Sequence, residues 1–283
     1  MAKRYEIPDA AWDLVADIFT ETRRTGRPRG NDRLILNGIL WVLCSGAAWR
    51  DMPERFGPWS TVYQRFRDWR NSEAFDQMLK RLHIRLNEQG LIDLETWMID
   101  FTAVRATRAS SGAGKKGGLK NRKITRSDSR GGLTTKIHML CDANGVPLRF
   151  LLSDGQASDI AYAQPLLDEA CIPSLRGRPR KRCRWLLADK GYDAEALRRY
   201  CDRYRMQPVI PLRSMKRKSK PGLPRPFDRP KYRQRNVTER MFGWLKESRR
   251  IVTRFDKLAK SFEAMVSLAC AMRCVRQYFS YRA

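Results

Sequence analysis

An α/β fold, helical through about residue 92 and built on a mixed sheet from there to the end, is predicted by this 283-residue sequence. Three observations carry the prediction. Apolar residues recur at three and four as far as the stretch before Trp97 and alternate beyond it. Short apolar runs bounded by turn residues then follow in the order β-β-β-α-β-α-β. Two basic, low-complexity stretches, 108–132 and 213–230, interrupt that pattern as mobile loops would. The reading divides the chain into a helical domain at 1–92 and a sheet domain at 93–283.

The first helix rests on Ala11, Trp12, Val15, Ile18 and Phe19, with Asp9 placed as its cap. Leu34, Ile35, Gly38, Ile39, Val42 and Leu43 give a second, which Gly46 ends. After the breaker segment Asp51–Trp59, Ser60 is the expected N-cap of a third helix. It turns Val62, Phe66 and Trp69 inward and leaves Gln64, Arg67 and Arg70 outward, either as a solvated basic face or as a recognition helix on DNA. Trp97–Val104, Leu133–Cys141 and Pro147–Ser153 read as strands, the last two joined by the turn Asp142-Ala143-Asn144-Gly145. Helix Ile160–Ala170, strand Trp185–Ala188, helix Asp193–Arg205 and strand Pro208–Leu212 follow. Helices near Val237–Arg250 and Phe262–Phe279 close the chain, the second with a core stripe of Phe262, Met265, Val266, Ala269, Cys270 and Met272.

Composition narrows the partners. Lys and Arg outnumber Asp and Glu by 57 to 30, a formal net charge of +27. A polyanion is therefore expected, nucleic acid first, held by counterion release without sequence reading. No run of about 20 apolar residues exists to span a membrane, and Met1–Pro8 lacks an apolar signal core, so a cytoplasmic protein is expected. Seven cysteines form no Cys-x2-Cys pair and the only histidines are His83 and His138, which argues against zinc. Cys270 and Cys274 read as core residues, and His138, within a strand, as structural or DNA-facing before general base. Gly112-Ala113-Gly114-Lys115 is not a P-loop, because Ala109 stands where the first glycine belongs and Lys116 where Ser or Thr should follow. Thr25–Arg29 and Arg176–Arg180 have the form of minor-groove hooks or of ordinary basic loops.

The chemistry is carried by acids at strand ends and by one C-terminal spacing. Asp100 follows Trp97-Met98-Ile99, and Asp189 follows Trp185-Leu186-Leu187-Ala188 at a strand-to-helix turn, where α/β sheets place ligands. Asp193, the neighbouring acid, reads as a cap of the next helix. Tyr232, Arg235, Glu239 and Lys246 would fall within an arc of about 60° on a continuous helix. If the helix instead starts at Asn236, the segment Asn236-Val237-Thr238-Glu239 is a capping box and the glutamate merely holds an amide. Three carboxylates with two cations suggest two-metal phosphodiester chemistry.

These three motifs together, with Arg33–Trp41, Trp49–Pro53 and Gly57–Tyr63, resemble bacterial insertion-sequence transposases of the DDE class, in the branch around insertion elements four and five. The resemblance covers most of the chain. It implies a ribonuclease H-like mixed-sheet catalytic core behind a helical, helix-turn-helix-like DNA-binding domain. Asp100, Asp189 and Glu239 would be the catalytic metal-binding triad for two Mg²⁺ ions, with Mn²⁺ able to substitute. Tyr232, Arg235 and Lys246 would contact DNA near the cleaved end, and Asp159 would support the site or cap a helix. The implied activity is endonucleolytic cleavage at terminal inverted repeats and strand transfer into target DNA. The implied setting is a homodimer or higher oligomer on double-stranded DNA, in the bacterial cytoplasm at the nucleoid. The alternatives are a ribonuclease H-like nuclease that cuts without joining and a non-catalytic, domesticated DNA-binding regulator.

Overall fold

The computed structural model describes residues 5–20, 30–107, 110, 127–129, 132–175, 177–213 and 227–280. Most of the two basic stretches, the Gly112–Lys115 segment, Thr25–Arg29 and Arg176 lie outside the described residues.

The expected first helix is two short ones, α1 (Asp9–Asp13) and α2 (Ala16–Phe19). The chain leaves helical geometry at Val15, with φ −134° and ψ −3°, so that Val15 and Phe19 both reach the core. Asp9 does not cap α1: it lies inside the helix and pairs with Arg33. Helix α3 (Asp32–Ser45) is capped by Asn31, whose side chain accepts the Leu34 N–H at 3.2 Å, and ends at Gly46 in the left-handed region, φ 70°. Helix α4 (Trp59–Asn71) begins one residue before Ser60, after Pro58, and no side chain caps it. Proline's fixed φ and missing N–H suit a helix start, so the expected serine cap is not needed. Val62, Phe66 and Trp69 are buried as expected, within an aromatic cluster that includes Phe19 and Phe75. Helix α5 (Ala74–Glu88) completes this part.

Strand β1 (Thr96–Ala106) is the spine of the sheet. Along one edge it pairs antiparallel with β3 (Gly132–Asp142). Along the other it pairs parallel with β5 (Trp185–Ala188) over Thr96–Ile99 and with β7 (Thr253–Arg254) over Arg105–Ala106. Outside β3 lie β2 (Ser127–Ser129) and β4 (Pro147–Asp154), and outside β5 lies β6 (Gln207–Val209). The order β4-β3-β1-β5-β6, with β3 alone antiparallel, is the ribonuclease H-like arrangement. The remaining helices are α6 (Asp159–Glu169), α7 (Glu195–Arg203), α8 (Arg229–Arg233), α9 (Asn236–Glu247), α10 (Arg249–Val252) and α11 (Ala259–Ser280).

Among the described residues, the larger of two hydrophobic clusters joins the N-terminal helices to the sheet. Its centre is α11, buried on most sides and packed against α5, α4 and β4. A helix apolar around its circumference belongs in such a position. Cys270 and Cys274 are buried within it, and burial raises both thiols. His83 of α5 bonds the Pro147 carbonyl at 2.8 Å, tying the helical part to the sheet; burial lowers its pKa to about 4. No helix among the described residues is long and apolar enough to cross a membrane.

Asp142 fixes the approach to β1. Fully buried, it accepts the N–H groups of Asp93 (2.7 Å), Asn144 (3.0 Å) and Val146 (2.7 Å), and burial pushes its carboxyl up to about 7 against the pull of these donors. Asp142→Ala leaves buried donors unmet and should lower stability by about 2–4 kcal/mol, read from urea unfolding. A loss under about 0.5 kcal/mol, the range of an inert surface change, would show that the turn does not depend on the carboxylate.

Candidate active site

The parallel register of β1 with β5 places Ile99 opposite Ala188, so Asp100, within β1, and Asp189, just past the end of β5, lie side by side. Beyond Ile99 that edge of β1 carries no strand until Arg105, which leaves Asp100 at the start of an open step in the sheet. Asp189 turns back on its own loop, where its Oδ1 accepts the Gly191 N–H at 2.8 Å. A Cβ on residue 191 would come within 2.8 Å of that oxygen, so glycine is required for the closure. Asp193 does not cap α7. It is buried, pairs with Arg198 at 3.0 Å and accepts the Arg213 N–H at 2.7 Å. Arg213 in turn donates to the Lys190 carbonyl at 2.8 Å and to that of Gly191, clamping the loop that presents Asp189.

The C-terminal spacing folds as α8 followed by α9, joined through Gln234 and Arg235 in right-handed helical geometry. Asn236 is already inside α9, and no side chain caps that helix, so the capping box does not form. The Glu239 carboxylate is engaged by Arg235 instead. Arg235 donates to Asp100 Oδ2 at 2.7 Å and to Glu239 Oε1 at 3.1 Å, bridging two of the three expected triad members. Thr238 adds its hydroxyl, 3.2 Å from Asp100 Oδ2 and 2.8 Å from the Arg235 carbonyl. Lys246 lies two helical turns beyond Glu239 on nearly the same face and has no ion pair among the described residues. Tyr232 packs on the small cluster of Met98, Cys141, Leu187 and Val209, with the Arg235 guanidinium 5.9 Å from its ring centre.

Burial raises the pKa of Asp100, and the charge of Asp189 adds to that. The Phe101 N–H, Arg235 and Thr238 pull the other way. Beneath the carboxylates, the Tyr192 hydroxyl is buried with no hydrogen-bond partner among the described residues. Its pKa is raised by burial and by Asp100, Asp159 and Asp189. Asp159 opens α6 and pairs with Lys136 at 2.7 Å. His138 stacks on Tyr162 at 4.5 Å and bonds Ser153 Oγ at 2.7 Å; burial and then Lys136 push it down to about 4, so it is neutral and internal.

Comparison with known families decides the family of the chain. The model described as the transposase DDE domain matches residues 94–274. The chain belongs to the DDE transposases. A model of the IS4/5-family transposases matches residues 7–79 of the same chain. The transposase named for element IS402 of Burkholderia cepacia is 36% identical over 141 residues, 50% of this chain and 62% of that relative, so this chain spans less than two thirds of it. The one named for IS6501 of Brucella ovis is 33% identical over 144 residues, 51% of this chain and 100% of the relative. Among solved structures, the Mos1 strand transfer complex aligns over 92% of this chain and 81% of its own, at 15% identity and a TM-score of 0.26, a level from which no structural equivalence is drawn.

DDE transposase domains depend on a divalent metal. Asp100 and Asp189 suit one: two carboxylates side by side, one with its charge disfavoured by burial, above a tyrosine hydroxyl with no partner among the described residues. Glu239 does not converge with them. No group of three His, Cys, Asp or Glu among the described residues is close enough to hold a metal, and Arg235 fills the space where the third carboxylate would join. The sequence singles out Asp100, Asp189 and Arg235, which the structure brings together, Glu239, which it ties to Arg235 apart from the other two carboxylates, and Lys246, which it leaves apart. It offers no role for Thr238, whose partner Asp100 lies 138 residues away, or for Arg198 and Arg213, which hold the loop around Asp189 and Asp193.

Because the folded environment raises the Asp100 pKa, the charged carboxylate carries a folding penalty above that pKa which acidification relieves. Asp100→Asn should therefore raise the thermal midpoint at pH 7.5, with the gap to wild type closing toward pH 4. A less stable variant at pH 7.5 would show that the Arg235 pair outweighs burial. Thr238→Val should slow metal-dependent cleavage about tenfold, the worth of one hydrogen bond to a charged group, while Thr238→Ser keeps the wild-type rate.

Proposed function

We propose that this chain is the transposase of an insertion sequence. In this reading it binds double-stranded terminal inverted repeats, cuts the strand to free a 3′ hydroxyl, and joins that hydroxyl to target DNA. The observation that carries the proposal is the convergence on Asp100 of a neighbouring strand-end carboxylate, Asp189, with Arg235 and, through it, Glu239. Hydrolysis breaks one phosphodiester bond and leaves a 5′ phosphate on the other side. Strand transfer breaks one bond in the target as it forms another, so no nucleotide cofactor is consumed.

The cofactor proposed is Mg²⁺, as two ions held by Asp100, Asp189 and Glu239. Bound there it supplies a Lewis acid that lowers the pKa of the attacking oxygen and steadies the leaving one. The chain's own residues do the rest. Arg235 neutralises Asp100 and Glu239 here; with a cation held by these carboxylates its guanidinium would be free to grip a phosphate. Lys246, unpaired among the described residues and two turns along α9, provides a second positive contact on the same strand of DNA. Thr238 holds Asp100 Oδ2 in place, and Arg213 with Gly191 fixes the loop that carries Asp189.

End recognition is proposed for the exposed face of α4, within an N-terminal DNA-binding part at 1–92 that precedes a catalytic part at 93–283. Gln64 bonds Asp68 at 3.0 Å and Arg67 bonds Gln64 at 3.3 Å, so both lie ready on the surface. Arg70 is turned back to Ser261 at 2.7 Å and to Asn71, and acts there mainly by seating α4 on α11. The working unit is proposed to be at least a homodimer on DNA, acting at the nucleoid.

Glu239→Gln should keep binding to labelled element ends and lose cleavage with Mg²⁺; wild-type cutting by the variant would remove Glu239 from the triad. Chelation should abolish wild-type cleavage and added Mn²⁺ restore it. Precut ends separate the proposal from a simple nuclease, since a transposase joins them to a target plasmid and a nuclease does not.

A further inference from the structure

Asp189 follows the carboxyl end of β5 and Asp100 lies beside it within β1, yet a strongly positive surface lies at the opposite end of β5. Segment 177–184, leading into β5, and the turn Tyr204-Arg205, leading into β6, enclose a cleft of about 610 Å³. Six cationic side chains line it, Arg178, Arg180, Lys181, Arg182, Arg184 and Arg205, against one carboxylate, Glu95. Arg180 is engaged by Glu95 at 2.9 Å, and Arg182 by Asp168 at 3.3 Å and by the Leu167 carbonyl at 3.0 Å. Arg178, Lys181, Arg184 and Arg205 are exposed and have no ion pair among the described residues.

Arg205 shows that the charge is kept at a conformational cost. Helix α7 ends in a Schellman turn, with the Met206 N–H on the Cys201 carbonyl at 2.8 Å and residue 205 at φ 55°. Glycine is the residue that such a position favours, and an arginine there is strained. No ion pair of its side chain among the described residues offsets that strain. Beside it, Tyr204 is exposed, with the Arg182 guanidinium 4.2 Å from its ring centre, which holds that arginine in the cleft wall. Gly177, at φ 91°, turns the chain so that Arg178-Pro179-Arg180 runs along the rim.

We propose that this cleft is a second DNA-binding surface, which holds the phosphate backbone of a duplex without reading its sequence, remote from the scissile bond. Strand β5 alone separates it from Asp189 by about 13 Å, so the phosphates gripped here are not those that react. The chemistry recognised is a row of phosphodiesters: six cationic side chains against one carboxylate, Glu95, on an exposed rim. The proposal rests on the transposase reading for its partner, since it assigns this surface to DNA rather than to another polyanion.

The test uses the full chain, a labelled 40-base-pair duplex without element ends, and a labelled element end. Arg178→Ala, Lys181→Ala and Arg184→Ala together should reduce the slope of log affinity against log salt for the plain duplex by about 2.7, or 0.9 for each phosphate no longer neutralised. Single-turnover cutting of the element end at saturating protein should stay at the wild-type rate. Arg205→Gly should weaken binding to the plain duplex while its thermal midpoint rises, because glycine relieves the strain. An unchanged slope in the triple variant, or unchanged Arg205→Gly affinity, overturns the cleft. So does poly-glutamate binding that the triple variant loses as strongly as duplex binding. Failure of the wild type to cut or join element ends would overturn the transposase reading instead, whatever the slopes.

Discussion

Strand β1 is the constraint on which the site depends. It is the only strand among the described residues that touches β3, β5 and β7, and its pairing with β5 stops at Ile99 opposite Ala188. Two carboxylates thereby emerge together, a costly arrangement in a half-buried place. The molecule answers that cost with Arg235, brought from the start of α9, the helix that also carries Glu239. The helix and the sheet are thus bound by the same charge imbalance that makes the place fit for a cation. Catalytic groups are here also structural liabilities, and the ion pair of Arg235 with Asp100 offsets part of the liability.

Much of this is legible in the sequence, and the legible parts have a common physical origin. Strand Trp185–Ala188 and the turn after it are short-range features: an apolar run, then an acid, then a glycine. The same holds for the spacing of Arg235 and Glu239, which a helical period turns into neighbours. The misread acids share a cause. Asp9 and Asp193, and Glu239 in its alternative reading, all invite local capping roles. In the fold Asp9 faces Arg33, Asp193 faces Arg198, and Glu239 faces Arg235. A chain with 57 Lys and Arg to 30 Asp and Glu offers many cations to each acid. A charged partner at 3 Å outcompetes a backbone amide, and nothing in the neighbouring residues announces which arginine it will be.

The placement of Thr238 and Arg213 could not be read from spacing, because their partners are set by how α9 and the segment after β6 lie across the sheet. Arg205 is the exception that a sequence can disclose. A basic residue at the position after a helix where glycine is expected is a local conflict, and such conflicts mark places where something other than folding chose the residue.

Helix α11 has a consequence for measurement. It is packed at once against α4 and α5 on one side and against β4 of the sheet on the other, and Arg70 and His83 add polar ties across the same junction. The helical part is therefore not a module on a tether but packs into the same core as the sheet that carries Asp100. In the proposed reaction, the interval between the sequence recognised on a DNA end and the bond cut would be set by the thickness of a protein core. Softening that core, at Cys270 or Val266 for instance, would blur where the cut falls before it slowed the cut itself.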